Sequence, residues 1–337
     1  MNRHTFHRVY LELTNACNCA CDFCPHTQMI RPIMHMNPGL AKRMISEVHG
    51  FHMARELTFH VLGEPSLYPE FFDILTFASR LDIETVLTTN GMLLNDTFGQ
   101  RLRNSRLDRL VLSIQTPDEQ SFAYRRAPLA FAPYKQGILD FLSDTYAVWE
   151  QSHYVFRFLY THHVETDRAC DPLYSPACSD IRALKAVMTQ WIHDIFRAID
   201  VPAPPLPHAL DPLDRTLLKK SRRIPIHDRI VFEIHHMHEW IDLSVHPEIT
   251  EVADGQCLHR RDDIAILSNG DVVMCCLDFN GRTALGNVRD CMLTDVLNRP
   301  KAARAFSEFA RGRVALPFCR RCLGNWHKTL ERLSYRL

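Results

Sequence analysis

Three cysteines near the start of the sequence have a spacing that could bind an iron–sulfur cluster. Cys17, Cys21 and Cys24 are separated by three and then by two residues. A [4Fe–4S] cluster normally takes four thiolate ligands, so three thiolates leave one iron open to a small ligand. A structural zinc loop or free thiols are the alternatives. Cys19 lies between two of these cysteines, and we treat it as a bystander because the outer spacing fits without it.

A second set of cysteines lies near the end of the sequence. Cys257 precedes a hairpin-like segment, Cys275 ends it, and Cys319 and Cys322 follow as a C-x2-C pair. Four thiolates suffice for a zinc ion or for a closed [4Fe–4S] cluster, and the spacing alone favours neither. Cys276 could replace Cys275, but consecutive strand residues point to opposite faces, so we expect only one of them to be a ligand.

The composition favours metal or cluster binding over disulfide bonds. The 337 residues include 12 cysteines, and the sequence shows neither a signal-peptide core nor a run of 18 apolar residues. We therefore expect a cytoplasmic protein, in which thiols stay reduced. The 39 basic and 39 acidic side chains balance, so no basic footprint for nucleic acid is present.

The segments that must position these cysteines alternate between strand and helix. Repeated βα units predict right-handed crossovers and a parallel sheet, either open or curled into a barrel. Strands are predicted at Val9–Leu13, Leu57–Leu62, Thr85–Thr88, Arg109–Ile114, Tyr154–Tyr160 and Ile230–His235. Helices are predicted at Leu40–Val48, Glu70–Arg80, Asp96–Asn104 and Tyr134–Trp149.

Residues 161–228 interrupt this alternation and are predicted to form an insertion. It contains one helix, Asp180–Ile199, and a proline-rich stretch, Val201–Pro212. Proline lacks an N–H donor and has a fixed φ, so this stretch cannot continue a helix or a central strand. The insertion could act as a lid or as a docking surface.

The last part of the sequence predicts a small module. Asn269-Gly270 joins two strand-like runs and is the strongest hairpin signal in the sequence. Two short helices, Leu293–Asn298 and Pro300–Arg311, follow. The predicted domains are a sheet domain of residues 1–160 and 229–250, the insertion, and a C-terminal module of residues 251–337.

Motifs after successive strands carry a resemblance to a known family. Gly63-Glu64-Pro65 follows the second strand and Thr89-Asn90-Gly91 the third, while the cysteine loop follows the first. With these motifs, roughly residues 8–240 resemble the radical S-adenosylmethionine (SAM) superfamily. The resemblance implies a partial (β/α)6 barrel with the cluster at the carboxyl ends of the strands. It also implies that SAM binds the open iron and yields a 5′-deoxyadenosyl radical, which abstracts hydrogen from the substrate.

The resemblance also implies which residues contact SAM. Phe23 matches the aromatic residue beside the adenine, and Gly63 and Glu64 match the motif that holds the amino group. Leu62 stands where many relatives have glycine. Arg157 is our candidate for the SAM carboxylate, because guanidinium is a planar bidentate donor. The predicted cofactor-binding residues are Phe23, Gly63, Glu64, Pro65, Asn90, Ser113, Gln115 and Arg157.

Strand alternation predicts a polar inner surface. Ser113 and Gln115 close the fourth strand, where relatives contact the SAM ribose, and the same parity selects Glu12, His60, Arg157, Glu233 and His235. Polar side chains inside an apolar sheet are costly unless they contact a ligand or each other. Arg157, Glu233 and His235 are therefore the candidate catalytic residues, any of which could take a hydroxyl proton.

The C-terminal module resembles the twitch-type (half-SPASM) extension of radical SAM enzymes. The matching segments are Gly255-Gln-Cys257, Asn269-Gly270-Asp271-Val272, Cys275-Cys276 and Leu285-Gly286-Asn287-Val288. The resemblance implies one auxiliary [4Fe–4S] cluster, bound by Cys257, Cys275, Cys319 and Cys322. No cysteine follows Cys322, so we expect one auxiliary cluster and not the two of a full SPASM pattern.

Three hypotheses follow for the function. The first is a radical SAM oxidoreductase acting on a sugar or aminocyclitol alcohol, with the auxiliary cluster as electron acceptor; the four-cysteine spacing resembles that of twitch dehydrogenases of aminoglycoside biosynthesis. The second is a maturase of a ribosomal peptide or protein side chain, and the third a non-catalytic zinc- or cluster-binding scaffold. The expected partners are a small-molecule or peptide substrate and a flavodoxin- or ferredoxin-type electron donor, with neither nucleic acid nor membrane.

Overall fold

The computed structural model describes residues 4–160, 180–205, 210, 222–236, 249–255, 257 and 263–334. The mixed α/β fold with a parallel sheet is confirmed. The strands of these residues are β1 (Phe6–Leu11), β2 (Ala54–Thr58), β3 (Glu84–Thr89), β4 (Arg109–Gln115), β5 (His153–Tyr160), β6 (Arg222–His227), β7 (Ile230–His236), β8 (Asp263–Ile266), β9 (Asp271–Val273) and β10 (Gly286–Asn287). Their helices are α1 (Pro38–Gly50), α2 (Phe71–Ala78), α3 (Thr97–Arg103), α4 (Glu119–Phe122), α5 (Phe131–Thr145), α6 (Ile181–Ala198), α7 (Leu293–Leu297), α8 (Pro300–Ala310) and α9 (Pro317–Ser334).

The chain divides into two compact units. The first unit comprises Met1–Cys17, Pro25–Leu87 and Trp240–Leu337, and the second comprises Asn18–Cys24 and Thr88–Glu239. The predicted division into residues 1–160 with 229–250, 161–228 and 251–337 follows other boundaries and stays a prediction. Across the described ranges, no helix is both long and apolar enough to cross a membrane.

In the first unit, β1 is bordered by parallel strands on both sides. It pairs with β2 and also with β8, so that Arg8 lies opposite Glu56 on one side and Asp263 on the other. Strands β8 and β9 form the hairpin predicted at Asn269-Gly270. The sequence predicted this hairpin but not its pairing with β1, because β8 and β1 lie more than 250 residues apart and no local pattern records which edge a strand joins.

In the second unit, β4, β5 and β7 are parallel, and β6 pairs antiparallel with β7. Strand β6 lies within the predicted insertion and was not predicted, because Pro225 interrupts its pattern. Proline is tolerated where a strand pairs along one side alone, as β6 pairs with β7. Helix α6 matches the helix expected at Asp180–Ile199, whereas residues 161–179, 206–209 and 211–221 of the insertion lie outside the described residues.

Two further differences concern segments that carry site residues. The strand expected over Leu57–Leu62 ends at Thr58, because the chain then turns into the loop that contains Gly63. Helix α9 was not predicted, and it contains Cys319 and Cys322. These two cysteines stand three residues apart on a helix and therefore share one face.

Candidate cofactor-binding and cluster-binding sites

The cysteine loop of the second unit lies against strand ends. Asp22 donates its backbone N–H to the Tyr124 carbonyl at 2.9 Å. Phe23 and Tyr124 pack around Leu159, near the end of β5. The loop therefore rests at the carboxyl ends of parallel strands, where α/β folds place their ligand sites.

Asn90, which follows β3, fastens the start of this loop. Its Nδ2 donates to Asn18 Oδ1 at 2.7 Å and contacts Cys19 Sγ at 3.7 Å, while its Oδ1 accepts from the Met92 N–H at 2.9 Å. The side chain is 9% exposed. In this structure, Asn90 holds the loop that carries two of the predicted cluster ligands.

Cys21 and Cys24 belong to the second unit, whereas Cys17 ends a segment of the first. The Cys24 N–H donates to the Cys21 carbonyl at 3.0 Å, which closes a tight turn between the two thiols. A hydrogen bond with Cys19 lowers the pKa of Cys21 to about 7 against the opposing effect of burial, and the charge of Arg125 adds to the lowering. A thiol with a lowered pKa is readily available as a thiolate ligand.

In the first unit, Gly63 approaches the residues that precede Cys17. Its φ is 91°, and a Cβ atom there would lie 2.7 Å from Cα and C of Asn15. The Glu64 N–H donates to the Ala16 carbonyl at 2.7 Å, and the buried Glu64 carboxylate accepts from the Ser66 N–H at 3.0 Å. Pro65, also buried, starts the short turn that this carboxylate caps. The motif therefore fixes the backbone beside the first cysteine of the loop.

We expect Gly63→Ala to weaken SAM binding at least about tenfold. The added methyl group meets backbone atoms that cannot move aside, and the positive φ adds strain. The free energy of unfolding should therefore fall by about 2–4 kcal/mol. Gly312→Ala is the matched control, since its φ is 76° but its Cβ would meet no atom within 4 Å. The control should lose about 1 kcal/mol and keep its SAM affinity. Titration calorimetry measures the SAM affinity, and thermal unfolding measures the stability. Equal SAM affinity in the Gly63→Ala and Gly312→Ala variants contradicts the expectation.

Ser113 and Gln115 are half-buried at the end of β4, where they alternate with the buried Leu112 and Ile114. Gln115 has a φ of 56°, and the β4–β5 register shifts between Leu112 and Gln115. Left-handed backbone at a residue other than glycine costs about 1–2 kcal/mol and persists where surrounding contacts impose it. The strand end is thus held in one strained shape at a predicted SAM contact.

Arg157, Glu233 and His235 meet on one face of β5 and β7. Arg157 lies opposite Glu233 in the parallel register, and its Nε and Nη2 donate to Glu233 Oε2 at 3.1 and 3.0 Å. His235 Nε2 is 3.4 Å from the same oxygen. Burial alone would raise the pKa of Glu233, but the hydrogen bond of His235 and the charge of Arg157 hold it well below its usual range. The carboxylate therefore stays ionised and is a weak proton acceptor.

Glu12, which the sequence placed with these residues, is bound by protein groups of the first unit. Its Oε1 accepts from Arg31 Nη2 at 2.8 Å, and its Oε2 accepts from both N and Oγ of Ser268 at 2.8 Å. Arg31 also donates to the Phe279 carbonyl at 2.6 Å. The sequence missed Arg31, because its loop position has no periodicity to mark it as buried.

The thiols of the second cysteine set gather in the first unit. Burial raises the pKa of Cys275 and Cys319 well above the usual range and that of Cys322 to about 12. Neighbouring thiols add to each shift, and Cys257 contributes to all three. Thiols that are close enough to oppose one another's ionisation fit a positively charged iron–sulfur core, which binds thiolates. No three His, Cys, Asp or Glu side chains in the described part of the chain are arranged to hold a single metal ion.

Cys276 is half-buried and packs against the core cluster that contains Tyr10, Val61 and Ala265, and its charge also raises the pKa of Cys275. Asp278, which the sequence also missed, fixes the loop after Cys275 by accepting from Thr283 Oγ1 at 2.7 Å and by donating its N–H to the Cys275 carbonyl at 3.2 Å. Cys275 therefore lies among the other thiols, whereas Cys276 packs against this core cluster.

Both cysteine regions lie within segments that match known protein families. Residues 11–141 match the model of the radical SAM superfamily, and residues 257–323 match the model of SPASM, an iron–sulfur cluster-binding domain. The AdoMet-dependent heme synthase of Nitratidesulfovibrio vulgaris is 26% identical over 133 residues, which cover 38% of this chain and 35% of that protein. The chain spans about a third of the length of the curated relatives that it matches.

Solved structures share the fold. SuiB of Streptococcus suis, bound to S-adenosylmethionine, has a TM-score of 0.54 and 16% identity, covering 90% of this chain and 68% of that chain. The structure of anSMEcpe with bound AdoMet has a TM-score of 0.51 and 13% identity, covering 98% of this chain and 100% of that chain. These similarities concern the architecture, since both identities are low.

Proposed function

We propose that this chain, which contains a radical SAM domain and a SPASM domain, oxidises an alcohol group of a small polar metabolite, such as a sugar or aminocyclitol, by two electrons. The observation that carries the proposal is the gathering of four thiols, those of Cys257, Cys275, Cys319 and Cys322, of which Cys275 is buried and the other three are half-buried. Four thiolates ligate every iron of a [4Fe–4S] cluster, so this half-SPASM site would accept an electron without binding the substrate.

We assign the first cluster to Cys17, Cys21 and Cys24 and the contacts to SAM to the residues that the resemblance implies. When bound, the cluster and SAM supply a 5′-deoxyadenosyl radical that abstracts a hydrogen atom. Arg157 already uses Nε and Nη2 on Glu233, so we assign its Nη1 to the SAM carboxylate. Glu233 orients the guanidinium, because both donated bonds end on one oxygen. A flavodoxin- or ferredoxin-type protein is the proposed electron donor.

Oxidation of the alcohol also requires a base. A carbinol becomes a ketone when it loses a hydrogen atom, a proton and an electron. Glu233 is a weak base because its pKa is held low, whereas the His235 side chain is 37% exposed and lies 3.4 Å from the Glu233 carboxylate. We therefore assign proton removal to His235, with the Glu233 charge stabilising the imidazolium that forms.

The test is anaerobic incubation of the reconstituted protein with SAM, a reductant and alcohols deuterated at the carbinol carbon. We expect deuterated 5′-deoxyadenosine and one ketone for each deuterium transferred, both measured by mass spectrometry. The His235→Asn variant should form less ketone, since the alcohol proton has no acceptor. Formation of 5′-deoxyadenosine across the alcohols without an oxidised product contradicts the proposal.

A cavity in the first unit favours a second candidate, maturation of a ribosomal peptide. It has a volume of about 730 Å³, and Arg43, Arg289, His35 and Glu70 line it beside the starts of α1 and α2. The two guanidinium groups outnumber the one carboxylate, and helix N-terminal ends also attract carboxylates, so an acidic peptide segment would fit. In the same assay, modification of a peptide encoded beside this protein, in place of ketone formation, would favour this candidate.

A further inference from the structure

Arg125 is a fully buried cation between the cysteine loop and the end of β4. It is 1% exposed and lies in the short turn after α4. Its Nη1 donates to the Ser113 carbonyl at 2.9 Å and to the Ile114 carbonyl at 2.8 Å, and it contacts Tyr134 Oη at 3.2 Å. The guanidinium lies 5.5 Å from the centre of the Tyr134 ring. These contacts fix the group on the strand end that contains two predicted SAM contacts.

The same guanidinium contacts the cysteine loop. The Asp22 N–H, next to Cys21, donates to the carbonyl of Tyr124, next to Arg125, at 2.9 Å, and the Arg125 guanidinium interacts with the Cys21 thiol. Burial raises the pKa of Tyr134 to about 12, so that phenol stays neutral. Burying a guanidinium is costly unless an anion compensates for it. Of these partners, Cys21 is the one that becomes an anion when it binds iron.

We propose that Arg125 is a positioning residue that joins Cys21 to the SAM-contacting end of β4 and raises the reduction potential of the cluster bound at Cys21. The proposal rests on the assignment of Cys17, Cys21 and Cys24 to the first cluster. A fixed positive charge stabilises the reduced, more negative state of a cluster, so reduction becomes easier. The bonds to the carbonyls of Ser113 and Ile114 meanwhile hold the backbone directly before the strained Gln115.

Two substitutions separate charge from geometry. Arg125→Met removes the charge and keeps much of the volume, so we expect a lower midpoint potential of the first cluster. Arg125→Lys keeps the charge but has one nitrogen in place of three, so it cannot hold both carbonyls and the thiol together, and we expect a nearly unchanged potential and about tenfold weaker SAM binding. Arg126→Met is the control, because Arg126 is 66% exposed and pairs with Asp22 at the surface.

Two quantities are measured. The midpoint potential of the first cluster comes from a potentiometric titration monitored by electron paramagnetic resonance, and the affinity for SAM comes from its dissociation constant. Neither measurement requires a substrate, so a failed oxidation assay does not affect them. Wild-type protein that binds no iron would instead contradict the assignment of Cys17, Cys21 and Cys24 to the first cluster. An unchanged potential in Arg125→Met overturns the electrostatic role. If Arg125→Met does not fold, the Arg125→Lys variant tests the proposal. Wild-type SAM affinity in Arg125→Lys overturns the positioning role. A loss of SAM affinity in Arg125→Lys that is absent from Arg126→Met supports the proposal.

Discussion

Replacement of Cys275 by alanine is expected to remove the auxiliary cluster, which leaves about four of about eight irons per chain. Cys275 is buried and faces the thiols of Cys257, Cys319 and Cys322. We do not expect the adjacent Cys276 to replace the lost ligand, because its side chain packs against the core around Tyr10. The first cluster should survive, since its cysteines lie elsewhere in the sequence.

Cys276→Ala is the matched control for this experiment. It removes the same atoms from the adjacent residue, and we expect it to retain both clusters. Iron and acid-labile sulfide analysis with electron paramagnetic resonance distinguishes the variants. Retention of all the iron by Cys275→Ala, or loss of half by Cys276→Ala, contradicts the ligand assignment. Wild-type protein that contains zinc and no iron would instead support the non-catalytic scaffold.

Replacement of Arg31 by methionine is expected to lower the free energy of unfolding by about 3–5 kcal/mol. The Glu12 carboxylate is fully buried, and Arg31 is its cationic partner at 2.8 Å. Without Arg31, the carboxylate keeps neutral donors from Ser268 and Leu62 and loses its counter-charge. Removing one member of a buried pair costs more than removing both, because the remaining charge stays desolvated.

Anaerobic urea unfolding at neutral pH measures this effect. Lys42→Met is the control, since Lys42 pairs with Asp73 at the surface and exposed pairs contribute at most about 1 kcal/mol. The double variant Glu12→Leu, Arg31→Met should recover part of the loss, because it leaves no buried charge. An Arg31→Met variant no less stable than Lys42→Met would show that the buried pair does not stabilise this unit.

Local patterns predicted the elements of this protein well. The helix expected at Asp180–Ile199 occurs as α6, and the Asn269-Gly270 hairpin occurs as β8 and β9. Helical periodicity and turn residues act over a few neighbours, so the sequence records them directly. Helix α9 escaped prediction although its cysteines did not, because half of its residues are polar and Gly324, a weak helix former, interrupts it.

The sequence by itself determined the chemistry that this chain can hold: the spacing of Cys17, Cys21 and Cys24, the C-x2-C pair and the strand after which each motif stands. The tertiary structure alone decided that Cys275 lies among the other thiols while Cys276 packs against the core around Tyr10, that Arg31 neutralises Glu12, and that Arg125 lies beside Cys21. Strand and helix periods state which face a side chain occupies. They do not state which distant segment covers that face, because long-range packing is set by the whole fold.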